Sequence, residues 1–102
     1  MAFTKVATLP EIPPGTGKQV TVSGRVIAVF NVEGAFHAID DTCTHRGASL
    51  AEGEVDGAEV ICPWHGARFD LTTGAVKGPP APRGVNAYKV QVVGDEIQID
   101  VV

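Results

Sequence analysis

Between Asp41 and Pro82 the chain is rich in glycine and proline, with Gly47, Gly53, Gly57, Gly66, Gly74, Gly78 and the pair Pro79-Pro80. A long irregular stretch inside a compact domain needs a function or a staple, because loop backbone alone buries little apolar surface. The stretch holds both cysteines of the chain, Cys43 and Cys62, and two of its three histidines, His45 and His65. Whatever the 102 residues fold into, something besides a hydrophobic core must hold this middle part.

The flanks read as strands. Lys18 to Val22 and Arg25 to Phe30 surround Ser23-Gly24, a two-residue turn signal. The second of these runs past Asn31-Val32-Glu33-Gly34 into Ala35 to Asp40, a second hairpin. Val55 and Ala58 to Cys62 flank Asp56-Gly57, a third, and Tyr88 to Val93 and Glu96 to Val101 flank Gly94-Asp95, a fourth. In the last strand Ile97, Ile99 and Val101 alternate with Glu96, Gln98 and Asp100, which predicts one buried and one wet face. No stretch keeps a sustained helical period. The expectation is one all-β domain of short antiparallel strands.

Charge and hydropathy exclude other classes. Eight basic against twelve acidic residues give a net charge of −4. That is too little positive charge to neutralise many phosphates, so nucleic acid is not a partner. The longest apolar run, Val26 to Phe30, is far too short to span a membrane. The start, Met-Ala-Phe-Thr-Lys, lacks the apolar core of an export signal. The expected compartment is therefore the reducing cytoplasm, where a bare disulfide is disfavoured.

Cys43-Thr44-His45 and Cys62-Pro63-Trp64-His65 form two mixed pairs, C-x-H and C-x-x-H, separated by sixteen residues. Thiolate and neutral imidazole both bind transition metals. Two metal readings fit these donors. A tetrahedral Cys2His2 zinc site needs them, and so does a binuclear iron–sulfur centre with two Cys on one iron and two His on the other. Common zinc modules pair Cys with Cys and His with His. A mixed pair suits a binuclear cluster, because each loop then sends one ligand to each iron.

Cys43-Thr44-His45-Arg46-Gly47 and Cys62-Pro63-Trp64-His65-Gly66 resemble the two cluster-binding boxes of the Rieske family. The resemblance continues through Ala67-Arg68-Phe69-Asp70-Leu71, Thr73-Gly74 and the proline-rich segment Gly78 to Pro82, and extends over nearly the whole chain. It implies a Rieske-like fold over residues 1–102. The basal β part would comprise about 1–40 and 83–102, with a cluster-binding subdomain inserted at about 41–82. It implies one [2Fe–2S] cluster per chain, with Cys43 and Cys62 on the buried iron and His45 and His65 on the outer one. It further implies that Pro79, Pro80 and Pro82 cover the cluster.

Within that family the chain looks like a soluble ferredoxin. Members in quinol-oxidising complexes carry two further cysteines; the corresponding positions here look like Ala48 and Trp64. Those members also place Ser after the second His-Gly and Tyr two residues later, whereas this chain has Ala67 and Phe69. Both hydroxyls are missing, so the reduction potential is expected in the lower part of the family range, roughly −150 to +300 mV. Catalytic oxygenase subunits need two more histidines for a second iron, and only His37 remains. The resemblance thus implies a non-enzymatic, monomeric one-electron carrier. It would take electrons from an NAD(P)H-dependent flavoprotein reductase and pass them to a terminal, aromatic-ring oxygenase. The small subunit of an assimilatory NAD(P)H nitrite reductase has a similar domain and is the alternative; a zinc-stapled structural module is the third reading.

Other residues take plainer expectations. His37, in a strand, is expected to pack or face solvent. Trp64 is expected to shield the metal centre, and Arg46 to be solvated. Gly15-Thr16-Gly17-Lys18 hints at a phosphate loop, but Ile12 and Gln19 stand where Gly and Ser or Thr are required. Residues 31–60 carry seven acidic residues against Arg46 alone, while residues 61–93 carry four basic residues against Asp70. That asymmetry could steer a redox partner electrostatically.

Overall fold

The computed structural model describes residues 3–42, 48–63, 66–77 and 84–100. Among them nine strands form two antiparallel sheets. The strands are β1 (Phe3–Thr8), β2 (Gly17–Val22), β3 (Arg25–Val32), β4 (Ala35–Asp40), β5 (Glu54–Asp56), β6 (Glu59–Ile61), β7 (Arg68–Asp70), β8 (Ala87–Val93) and β9 (Glu96–Asp100). The large sheet has the order β1-β9-β8-β4-β3-β2 and curls into a nearly closed barrel. The small one has the order β5-β6-β7.

All four expected hairpins are present, joining β2 to β3, β3 to β4, β5 to β6 and β8 to β9. One turn is tighter than the sequence suggests. In the second hairpin, strand pairing runs to Val32 and resumes at Ala35, leaving only Glu33-Gly34 as the turn. Both residues have positive φ, 52° and 93°, as a turn matching the twist of its strands requires. Asn31 makes that conformation affordable for a glutamate: its Oδ1 accepts from Gly34 N at 2.7 Å and its Nδ2 donates to Ile12 O at 2.8 Å.

β1 and β7 are not evident in the sequence. β1 pairs with β9 from the opposite end of the chain, and β7 has three residues. Neither carries a local turn signal. Asp100, expected on a wet face, is buried. Its strand lies between β1 and β8, and Phe3 and Lys89 stand directly opposite it on either side.

Strand β3 belongs to two cores. Ile27 and Val29 point into the barrel with Val20, Val22, Ala38, Ile97 and Ile99. Ala28 and Phe30 point outward, into a second cluster with Ile39, Leu50, Val60, Phe69 and Leu71. The apolar run Val26 to Phe30 lacks strand alternation for this reason: from Ile27 onward both faces of the strand are covered. Gly17 sits against the same contact. A Cβ there would stand 2.5 Å from the Phe30 ring. This glycine is a packing residue of β2, not part of a phosphate loop.

The turn after β7 docks the small sheet to the start of β8. Asp70 Oδ1 accepts from Thr72 N at 2.7 Å and Thr73 N at 3.2 Å, and from the Thr72 hydroxyl at 2.5 Å. Gly74 has φ of +80°, and its carbonyl accepts from Val85 N at 2.8 Å. A side chain at position 74 would collide with the Val85 carbonyl. Gly74→Ala is therefore expected to cost more than about 2 kcal/mol, from the left-handed conformation together with the clash. The measurement is the thermal midpoint, expected to fall by roughly 8 °C or more. The Thr72 hydrogen bonds hold the Asp70 carboxyl below its ordinary value of 3.8. The stabilisation is thus present above that value and is lost as pH falls through the lower folded one. Asp70→Ala is expected to be about 1 kcal/mol less stable than wild type at pH 7. In denaturant titrations the gap should close as pH falls below the ordinary value of 3.8 and through the lower folded one.

Candidate metal centre

Cys62 follows β6 and opens the loop that leads into β7. Its N–H donates to Ala67 O at 2.7 Å, which ties the two described ends of the loop together. Below this closure β6 and β7 pair from Ile61 opposite Arg68 to Glu59 opposite Asp70. Cys62 is 2% exposed and lies in the cluster that contains Ala48, Ala67 and Phe69. Pro63 and Gly66 are exposed, and Gly66 has φ of +77°. The loop thus combines a buried thiol with an exposed rim.

The first loop is tied at its base. Thr42 bridges to Ser49, and Leu50 N donates to Asp41 O at 2.6 Å. The Asp41 side chain, in a residue 2% exposed, accepts from Ser49 Oγ and Ala51 N, both at 2.9 Å, and from Gln19 Nε2 at 2.6 Å. Ala48, at the end of this loop, and Cys62 and Ala67, at the ends of the other, share one apolar cluster. The described ends of the two loops therefore meet in one core, between the barrel and the small sheet.

Cys43, His45 and His65 lie outside the described residues, as do Arg46, Trp64 and the prolines Pro79, Pro80 and Pro82. Of the four expected ligands the structure places Cys62. The described residues by themselves contain no group of three potential metal ligands. The donor chemistry still fits a thiolate-bound metal: Cys62 stands at the mouth of a tight loop, away from water and in apolar surroundings. Burial of this kind suits a ligand to a cluster whose charge is to stay out of solvent.

The other candidates have ordinary places. His37 is half-buried on the outer face of β4, opposite Phe30. The acidic run of residues 31–60 does not form one free surface. Asp41 is buried, Asp40 accepts from Tyr88 Oη at 2.5 Å and from Asn86 N at 3.0 Å, and Asp56 and Glu59 both face Arg68. Glu33, Glu52 and Glu54 are left as exposed acids. Burial, and then the Asp40 hydrogen bond, raise the Tyr88 phenol above its usual range. Sequence reasoning overlooked Asp40 and Asp41 as structural groups, although two adjacent acids just before a ligand pair were visible.

No described helix is long and apolar enough to cross a membrane. The model of the Rieske [2Fe-2S] domain matches residues 2–89. The biphenyl dioxygenase ferredoxin subunit of Pseudomonas sp. (strain KKS102) is 40% identical over 101 residues, covering 98% of this chain and 93% of that protein. The solved ferredoxin of carbazole 1,9a-dioxygenase from Nocardioides aromaticivorans IC177 superposes with a TM-score of 0.94 at 34% identity, over 100% of both chains. A chain from the complex of reduced oxygenase and oxidised ferredoxin in carbazole 1,9a-dioxygenase gives 0.87 at 36% identity, covering 95% and 91%. At 25% identity a putative NADH-dependent nitrite reductase small subunit from Mycobacterium tuberculosis still gives 0.90, covering 99% and 96%. The fold is thus common to both kinds of protein, while the sequence lies nearer the dioxygenase ferredoxins. The chain belongs to the Rieske [2Fe-2S] domain family, as a Rieske-type ferredoxin.

Proposed function

We propose that this protein is a cytoplasmic, monomeric one-electron carrier of an aromatic-ring dioxygenase system. It accepts electrons from an NAD(P)H-dependent flavoprotein reductase and delivers them to the terminal oxygenase. The observation that carries the reading is likeness along the full chain to dioxygenase ferredoxins, 34% identical at a TM-score of 0.94 in the carbazole case. Nitrite reductase small subunits share the fold at lower identity, which leaves that assignment the weaker one.

Cys43, His45, Cys62 and His65 would hold one [2Fe–2S] cluster, the two cysteines on one iron and the two histidines on the other. When bound, the cluster supplies a reversible one-electron couple. The protein supplies the rest. Cys62 and its apolar neighbours keep water from the thiolate side, and the base of each loop is fixed by backbone hydrogen bonds. Residues about 41–82 act as the cluster-binding part, and about 1–40 with 83–102 as its base.

The surroundings of Cys62 also support a low potential. Ala67 and Phe69 are fully buried beside it and offer no hydroxyl. A hydroxyl there would donate to sulfur and stabilise the charge added on reduction. Ala67→Ser and Phe69→Tyr are each expected to raise the potential by on the order of 60 mV, a tenfold shift of a one-electron equilibrium. Protein-film voltammetry checks this, and an unchanged potential in both variants would contradict it.

The carrier reading is tested on aerobically purified protein. The expected result is a red-brown protein with two irons per chain that bleaches with dithionite and gives a rhombic EPR signal of low average g. Cys62→Ser should abolish it. A colourless protein holding one zinc would overturn the reading. Recovery only as part of a stable complex with a larger redox subunit would favour the nitrite reductase assignment.

A further inference from the structure

We propose that Asp41 is the positioning residue of the first ligand loop and that its buried charge holds the cluster potential down. The inference rests on the carrier reading above, and it adds a role to a residue outside the ligand set.

Asp41 lies at the base of the loop, two positions ahead of Cys43. It is fastened from both sides. Its own N–H donates to Val26 O at 3.1 Å, which fixes it to the barrel through β3. Its side chain reaches across to β2 through Gln19 Nε2, and to the far end of the loop through Ser49 Oγ and Ala51 N. Its carbonyl takes the Leu50 N–H. One residue therefore joins two barrel strands to both ends of the segment that carries Cys43 and His45. A change in its geometry moves the base on which those ligands stand.

The chemistry of the contacts adds the second part. All three side-chain partners are neutral donors, and the group acts only as an acceptor, as a carboxylate does. Among the described residues no lysine or arginine forms an ion pair with it. Three donors engage both of its oxygens but leave its net charge in place. Reduction adds a negative charge to the cluster, and a buried negative charge two residues from the ligand Cys43 opposes that through poorly screening protein. This effect acts in the same direction as the missing hydroxyls at Ala67 and Phe69.

Three variants separate the two parts. Asp41→Asn keeps the acceptor for Ser49 and Ala51 and can meet Gln19 once that amide turns over, so it removes charge and little else. Asp41→Ala removes the tie. Ser49→Ala removes one donor and leaves the charge. The readouts are potential by voltammetry, g values by EPR, and the rate of cluster loss to a chelator followed at visible wavelengths. Asp41→Asn is expected to keep wild-type g values and chelator half-life while reduction becomes about tenfold more favourable, 59 mV more positive. Asp41→Ala is expected to shorten the half-life at least tenfold and to shift or broaden the g values. Ser49→Ala is expected to shorten the half-life severalfold at an unchanged potential. Should Asp41→Ala fail to fold, the other two variants decide.

An unchanged potential in Asp41→Asn overturns the charge effect. An unchanged half-life in Ser49→Ala, together with wild-type g values in any folded Asp41→Ala protein, overturns the positioning role. A wild-type protein with no [2Fe–2S] spectrum overturns the carrier reading itself and this inference with it. The wild-type spectrum taken first thus distinguishes the two failures.

Discussion

Strand β3 is the element on which the rest is built, because it is covered on both faces. Ile27 and Val29 close the barrel, while Ala28 and Phe30 carry the cluster that the small sheet packs against. Full burial of a side chain of this size contributes about 1.5–3 kcal/mol, and here each face of one strand contributes to a different core. The barrel and the loop-bearing sheet are therefore not independent. A void under Phe30 would loosen the seat of Leu50 and Val60, and with it both loops.

Backbone hydrogen bonds then do what a core cannot do for irregular chain. Cys62 N to Ala67 O, Leu50 N to Asp41 O and Val85 N to Gly74 O each close or dock a loop at its base. Side chains complete the pattern: Asp41 at the first loop, Asp70 at the turn after β7, and Asp40 where β4 meets the start of β8. All three are acids used as acceptors for N–H groups. A carboxylate can take several such bonds at once, which suits it to gathering the orphan donors of a turn.

This use of acids changes how the net charge is understood. The formal charge of −4 suggests an acidic surface, yet several of the carboxylates are turned inward or paired. Arg68 on β7 takes both Glu59 on β6 and Asp56 on β5, across the small sheet. Such half-exposed pairs add little stability in water, but they remove charge from the field a partner would meet. Linear charge counts therefore overstate the acidic face of the described surface.

Much of this was legible from residues alone. Turn pairs such as Ser23-Gly24 and Gly94-Asp95, with alternating apolar residues on either side, are local signals, and a hairpin is a local structure. The family boxes around Cys43 and Cys62 are likewise short and contiguous. What the sequence could not determine is non-local. β1 becomes a strand because β9 lies beside it, and β7 because β6 does. Asp100 is buried because neighbours on both sides shade a strand that alternation alone would leave half wet. Asp41 looks like one acid in an acidic run; only the fold brings Gln19, Ser49 and Ala51 to it. The linear chain determined which residues could bind a metal and where the chain would turn. Tertiary structure decided which polar groups were removed from water, because burial and hydrogen-bond partners depend on segments distant in sequence.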